Sequence, residues 1–192
     1  MVDELNRPRE IATFQIDIGN ARRFGIKYVN EKNERVYPPI IHTAMIGTIE
    51  RYLFTVFDTA ALKAKAGGVP ELPVWLSPVQ VRLIPVSSEY LGDADKIADK
   101  IEGEGFRVDV DDRALSVSRR VRDAELKWVP YIVVVGEKEA KTGVLTVRVR
   151  SRREEVEMKL EELLKELREA VKGYPRRPLT LPRHLSKRPV YT

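Results

Sequence analysis

Cysteine is absent from all 192 residues, which excludes a disulfide framework and any thiolate-held metal site. Zinc is not excluded by this, because histidine and carboxylates also bind it. Only two histidines are present, His42 and His184, so a Ser, His and Asp triad has little to draw on. No apolar run approaches the length of a membrane span, and the first twenty residues lack the apolar stretch of a signal peptide. A cytoplasmic protein with no membrane partner is expected. The loop after the first strand of the second half, residues 85–93 (PVSSEYLGD), carries neither G-x-G-x-x-G nor G-x-x-x-x-G-K-[ST], which disfavours dinucleotide and P-loop chemistry.

What the chain does have is charge, 33% of its residues, alongside enough hydrophobic residues, 43%, to build a core. High charge without cysteine is in keeping with a heat-adapted source. The formal net charge of +5 is unevenly placed: residues 173–192 hold five basic residues and no acidic one. The body is therefore close to neutral. With four prolines, this end reads as an extended arm that lies either on nucleic acid or on the protein's own acidic surface.

The most strongly patterned stretch is residues 131–150, YIVVVGEKEAKTGVLTVRVR. Tyr131 to Val135 has no charged residue and predicts a strand covered on both faces. The chain is expected to turn at Gly136 and return as a strand in which Val144, Thr146, Arg148 and Arg150 alternate with Leu145, Val147 and Val149. One face of that strand should present arginines. Around this ribbon the spacing predicts a strand over 79–86, a helix over 93–101, a strand over 107–110, a helix over 116–127 and a closing helix over 153–172. That order implies an α/β fold: three parallel strands with an antiparallel hairpin strand added, a mixed, mostly parallel sheet flanked by helices.

The first third reads differently. Residues 11–18 (IATFQIDI) alternate as a half-buried strand, 24–29 and 34–37 form a hairpin, 40–42 enter as a terminal strand, and 43–62 recur at helical spacing with one wide buried face. The glycines and proline of KAKAGGVPEL mark a linker. The expected organisation is an antiparallel β plus helix segment over 1–63, a linker over 64–72, a domain over 73–172 and a basic tail over 173–192.

IATFQIDIGNARRFGIKYVNEKNERVYPPIIHTAMIGTIERYL resembles the end of a class II aminoacyl-tRNA synthetase catalytic domain, including its third signature motif, and is most similar to the threonyl-tRNA synthetase family. LPVWLSPVQVRLIPVS, GFRVDVDDR, the helix through Arg122 and VPYIVVVGEKEAKTGVLTVRVR look like that family's anticodon-binding domain, and RRPLTLPRHLSKRP is similar to its archaeal ending. The resemblance runs from Arg9 onward. It implies an archaeal-type C-terminal part of such an enzyme: the end of the catalytic core joined to a complete anticodon-binding domain.

The resemblance also implies roles. Arg51 matches the motif arginine that pairs with ATP phosphates, a partner suited to a guanidinium on an apolar helix; the plainer reading is an arginine reaching Glu50 or Asp58. Gln15 matches a glutamine lining the substrate and adenylate pocket, or is a solvent-facing strand residue. Thr48 lies at the pocket rim. His42 matches one of three zinc ligands in the family, or is a structural histidine at a strand end; the companion cysteine and histidine lie upstream in the family, so this chain is not expected to build that zinc site. Arg122, Glu139 and Arg148 fall where the family contacts anticodon bases, which suits the stacking and edge reading of splayed loop bases. The plainer readings are a helix charge facing Asp123 or Glu125 for Arg122, and a cross-strand ion pair for Arg148. Ser88 and Ala114 depart from the bacterial pattern, with Arg113 beside Ala114 as a phosphate contact.

The expected function is a part of threonine-tRNA ligase that recognises the anticodon of threonine tRNA and contributes to the ATP and threonine site. ATP, Mg2+ and Zn2+ belong to the complete enzyme, expected to be a homodimer, and none is expected to bind tightly to this chain alone. The first and second signature motifs are missing, so these residues should bind tRNA without forming threonyl adenylate. The alternative is a noncatalytic tRNA-binding accessory protein on the same fold.

Overall fold

Two separate patterns of burial divide the chain. A computed structural model, which describes residues 1–189, separates it into two units, Met1–Ala66 and Gly67–Thr192. The last three residues of the expected tail lie outside the described residues.

In the first unit, β1 (Thr13–Asp17) pairs antiparallel with β4 (Ile40–Ala44), placing Gln15 opposite His42. Between them lie the short helix α1 (Asn20–Arg23) and a two-stranded hairpin, β2 (Tyr28–Val29) with β3 (Arg35–Val36). The helix α2 (Ile49–Lys65) follows. It starts six residues later than its spacing predicts, because Thr43 and Ala44 pair with Phe14 and Thr13, and Gly47 then turns the backbone at φ +64°. Thr48 caps the helix by accepting from the Arg51 amide at 3.4 Å. The expected wide buried face is not present in this unit: Ile49, Leu53, Phe54, Phe57 and Leu62 are all exposed, as are Phe14, Ile16 and Ile41 on the small sheet.

The second unit is built on β5 (Val81–Pro85), with β6 (Val108–Val110) and β7 (Tyr131–Val135) parallel to it on either side. β8 (Val144–Val149) then runs antiparallel to β7, and β9 (Glu154–Lys159) antiparallel to β8, giving the order β6-β5-β7-β8-β9. The mixed sheet matches the expected α/β class, with two corrections. The turn at Gly136 is a short helix, α5 (Glu137–Thr142), closed by Gly143 at φ +69°. The closing helix is shorter than its spacing predicts: α6 (Leu160–Ala170) is preceded by the extra edge strand β9. Val156 fits both a helical and an alternating period, and the alternate Met158, buried against the core, decides for the strand.

Alternation sorts the sheet's two faces. Val81, Leu83, Val133, Leu145, Val147, Val149 and Met158 point to one side, where α3 (Leu91–Gly103) and α6 bury them. On the other side α4 (Val117–Leu126) lies over β5 and β7, with Val117, Val121 and Ala124 against Ile84 and Ile132. On that side α5 touches β8, through the bond from the Thr146 hydroxyl to Glu139. Thr146, and Arg148 with its cross-strand neighbour Glu155, line an open groove beside α4.

The basic tail lies on the protein's own acidic surface. The Arg183 carbonyl accepts from the Val110 amide at 3.0 Å, and His184 bridges Val110 in parallel, so the tail runs along the free edge of β6. Arg183 pairs with Asp99 and Glu102 of α3, and His184 Nε2 lies 2.8 Å from Asp95.

Candidate nucleic-acid interface

The groove beside α4 encloses about 830 Å3, with Val69, Leu126, Trp128, Val129 and Ile132 among its apolar lining and Arg122, Arg148, Arg150 and Arg153 among its cations. A second hollow of about 340 Å3, lined in part by Ser118, Val121, Arg122, Thr146 and Arg148, continues it along the sheet. Arg122 and Arg148 line both. The two arginines singled out in the sequence are therefore brought together, one from the helix and one from the strand.

Their surroundings differ. Arg148 Nη1 donates to Glu125 at 2.6 Å and its Nε donates to Glu155 at 3.0 Å, the cross-strand pair considered from the alternation. Glu155 first, then Glu125, raises its pKa above the ordinary guanidinium value. The fork is thus held in one orientation. Arg122 has no carboxylate partner among the described residues. The two acids expected to face it are engaged elsewhere: Asp123 with Arg113 and Arg119, and Glu125 with Arg148.

Glu139 lies in α5, not in a turn. Its Oε2 accepts from the Gly136 amide at 3.0 Å and its Oε1 from the Thr146 hydroxyl at 2.8 Å, which ties the helix to the wall of the groove. Arg113 stands outside the groove. It is clamped to Asp111 through bonds of 2.8 and 2.7 Å and to Asp123 at 3.1 Å, and Asp111 chiefly raises its pKa. Ser88 sits in a 3-10 turn (Ser88–Tyr90), and Ser88 and Ala114 are both exposed.

Sequence reasoning did not single out Trp128 or Glu155; it named Arg150 only in the alternation of the strand and Glu125 only as an acid for Arg122. The available signal was the interleaving of an aromatic with basic residues, Lys127-Trp128 at the helix end and Arg148-x-Arg150 on the strand.

In the first unit Arg51 lies in the opening turn of α2, beside a cavity of about 490 Å3 lined by Pro8, Arg9, Glu10, Ile11, Glu50, Arg51 and Phe54. Its guanidinium has no carboxylate partner among the described residues. The alternatives named for it do not pair with it: Asp58 is buried, with Oδ1 accepting from the Glu4 amide at 2.9 Å and Oδ2 without a partner, and the Thr48 hydroxyl is among the groups that hold the Glu50 pKa down, after the backbone. A Cβ at Gly47 would come within 2.9 Å of Arg51 Cδ, so this glycine makes room for the arginine stem. Gln15 and His42 are exposed neighbours across the β1–β4 pair. The Asp17 carboxyl is held below its usual range by the Asn20 and Gly19 amides, with a smaller part from His42. No group of three or more His, Asp or Glu is arranged to hold a metal ion among the described residues. The residues around His42 do not fit a zinc site.

An anticodon binding domain family model matches residues 80–170, the sheet and helices that frame the groove. The threonine-tRNA ligase of Thermofilum pendens is 64% identical over 192 residues, 100% of this chain and 31% of that protein. The threonine-tRNA ligase of Pyrobaculum aerophilum is 61% identical over 189 residues, 98% of this chain and again 31% of that protein. The chain thus spans about a third of the length of the curated relatives it matches. Among solved structures, the RNA binding domain of threonyl-tRNA synthetase from Cryptosporidium parvum superposes with a TM-score of 0.69 at 27% identity, covering 90% of this chain and 42% of that one. A Giardia lamblia prolyl-tRNA synthetase gives 0.68 at 22% identity, covering 88% and 38%, and shows likeness of fold alone. Residues 80–170 thus match the anticodon binding domain family, and the chain is similar over its full length to about a third of the length of threonine-tRNA ligases.

Proposed function

We propose that this chain serves threonine-tRNA ligation, its second unit docking the anticodon loop of threonine tRNA in the groove between α4 and the open face of β8 and β9. The observation that carries this reading is Arg122, a cation without a carboxylate partner among the described residues. It faces a groove where Arg148 is already oriented and an aromatic ring is at hand. Such a groove suits unpaired bases with their phosphates: guanidinium planes stack on bases and read their edges, while free cations meet phosphate. Glu139 acts with them from the groove wall. Arg113, clamped by two aspartates, supports the α4 end and contacts phosphate only from outside the groove.

The first unit contributes to the ATP and threonine site of the complete enzyme. Arg51 is a guanidinium awaiting an anion, and phosphate is the anion it suits; Gln15 offers an amide on the neighbouring sheet, and Thr48 fixes the helix turn that carries Arg51. Bound ATP would supply the activated phosphoryl leaving group, and magnesium its counter-charge. This chain's part is to hold the phosphate at Arg51 and orient it. His42 lacks companions here, so no step is assigned to zinc. An accessory protein freed from catalysis would have no use for the Arg51 arrangement, which favours the ligase reading. The complete enzyme is cytoplasmic and homodimeric in this reading.

The test is binding of a threonine-tRNA anticodon stem-loop at several salt concentrations. Affinity should fall steeply with salt, and Arg122→Ala should weaken binding and reduce the slope by about 0.7 for each phosphate contact removed. Equal affinity for an unrelated stem-loop would overturn specific anticodon reading.

A further inference from the structure

Arg148 is held by more negative charge than its own charge calls for. Its Nε donates to Glu155 Oε1 at 3.0 Å, its Nη2 donates to the same oxygen, and its Nη1 donates to Glu125 Oε1 at 2.6 Å. One carboxylate already neutralises a guanidinium. The second leaves the trio with one negative charge in excess and draws two like charges toward the same point. Stability gives little reason for this, because the three side chains are between 41% and 53% exposed, and ion pairs that open to water add little to a fold.

The groove gives a better one. Three of the five N–H groups of Arg148 are taken by the two acids, which leaves one on each Nη. Among the described residues, Oε2 of Glu125 and Oε2 of Glu155 have no hydrogen-bond partner. All three side chains line both the 830 Å3 groove and the 340 Å3 hollow that continues it. The wall they form offers donors and acceptors together, under a net negative charge. The edge of an unpaired base carries both donors and acceptors, whereas a phosphate has acceptors alone and a full negative charge. Such a wall suits the first and repels the second.

We propose that Glu125 and Glu155 are specificity-determining residues of the groove: holding Arg148 between them, they keep the RNA backbone off it and reserve it, with their own outer oxygens, for the edge of an unpaired base. This rests on the reading of the groove as an RNA site. Phosphate contact is left to Arg122, which lines the same two hollows. The acids lower affinity for RNA at large and widen the difference between one loop and another, since a wrong loop cannot replace a base contact at Arg148 by a phosphate contact.

The test is the full chain carrying Glu125→Gln and Glu155→Gln together, which keeps the length and the accepting oxygen of each side chain and removes both charges. Binding of a threonine-tRNA anticodon stem-loop, and of one with an altered triplet, is measured across salt concentrations. In the double variant the altered stem-loop should bind roughly 5-fold tighter at about 0.1 M salt, and the salt slope should steepen by about 0.7 for the one phosphate that Arg148 now meets. Preference for the threonine loop should fall. Adding Arg148→Ala to the double variant should abolish the extra slope, whereas acids that served only the fold would, on removal, weaken both loops without steepening it. An unchanged slope or an unchanged preference in the folded double variant overturns the proposal. If the double variant does not fold, Arg148→Ala alone decides: it should reduce preference and leave the slope unchanged, unlike Arg122→Ala, and a slope reduced by about 0.7 overturns the proposal. The groove reading survives either failure as long as the unaltered chain prefers the threonine loop; if that chain binds both loops equally or neither, the reading and the proposal fall together.

Discussion

Asp109 is fully buried between two guanidinium groups, one from the sheet and one from the tail. Arg82 grips it through bonds of 2.8 and 2.7 Å, and Arg188 Nη1 lies 2.9 Å from the same carboxylate. Arg82 Nη1 and Arg188 Nη2 have no hydrogen-bond partner. The carboxylate is therefore the common anion of both cations. Asp109→Ala should cost about 3–5 kcal/mol in urea unfolding, because it leaves two positive charges without an anion away from water. Residue types at such places were legible, but pairings were not. The alternation put Arg148 on the outward face and allowed it a cross-strand ion pair, but Glu155 fell within the expected closing helix and was not named as the acid. It could not tell that Arg148 would also take Glu125 and so leave Arg122 without an acid, since that depends on which strand α4 lies across. Trp128 was not legible for a similar reason: its left-handed backbone is visible only once α4 has been terminated.

Among the elements, the tail carries the clearest prediction. Two destinations for a basic, prolyl end were open from composition, and the acidic face of α3 next to a free strand edge is the one occupied. Arg183 and His184 reach Asp99, Glu102 and Asp95, while Ser186 Oγ donates to Asp112 at 2.6 Å. Removing residues 174–192 should lower the unfolding midpoint and expose the β6 amides to faster hydrogen exchange than those of β7. Equal protection of both strands would show that the tail contributes nothing to that edge. The strands β5 to β8 were readable because each alternates or is uniformly apolar between breakers. β9 was not, because its Glu-rich face and the leucines of α6 share a spacing at Val156, and only the burial of Met158 separates the two periods.

For the whole molecule, the two units differ in how far each satisfies itself. The second has one apolar core on each side of its sheet. The first buries Ala21 and Ala60 but leaves most of its large apolar side chains in water. Residues 67–192 produced alone should unfold cooperatively and bind the stem-loop as the full chain does, whereas residues 1–66 alone should bind a hydrophobic dye and aggregate. A noncooperative transition in 67–192 would show that this unit depends on the first. The second unit's sheet, by contrast, admits no newcomer: on one flank its own tail already occupies the backbone positions a foreign strand would need, and on the other the bordering segment reads EEVEMK, a palisade of like charge. Copies of this unit are thereby kept from joining edge to edge, which suits the proposed docking of an RNA loop on one face of the sheet.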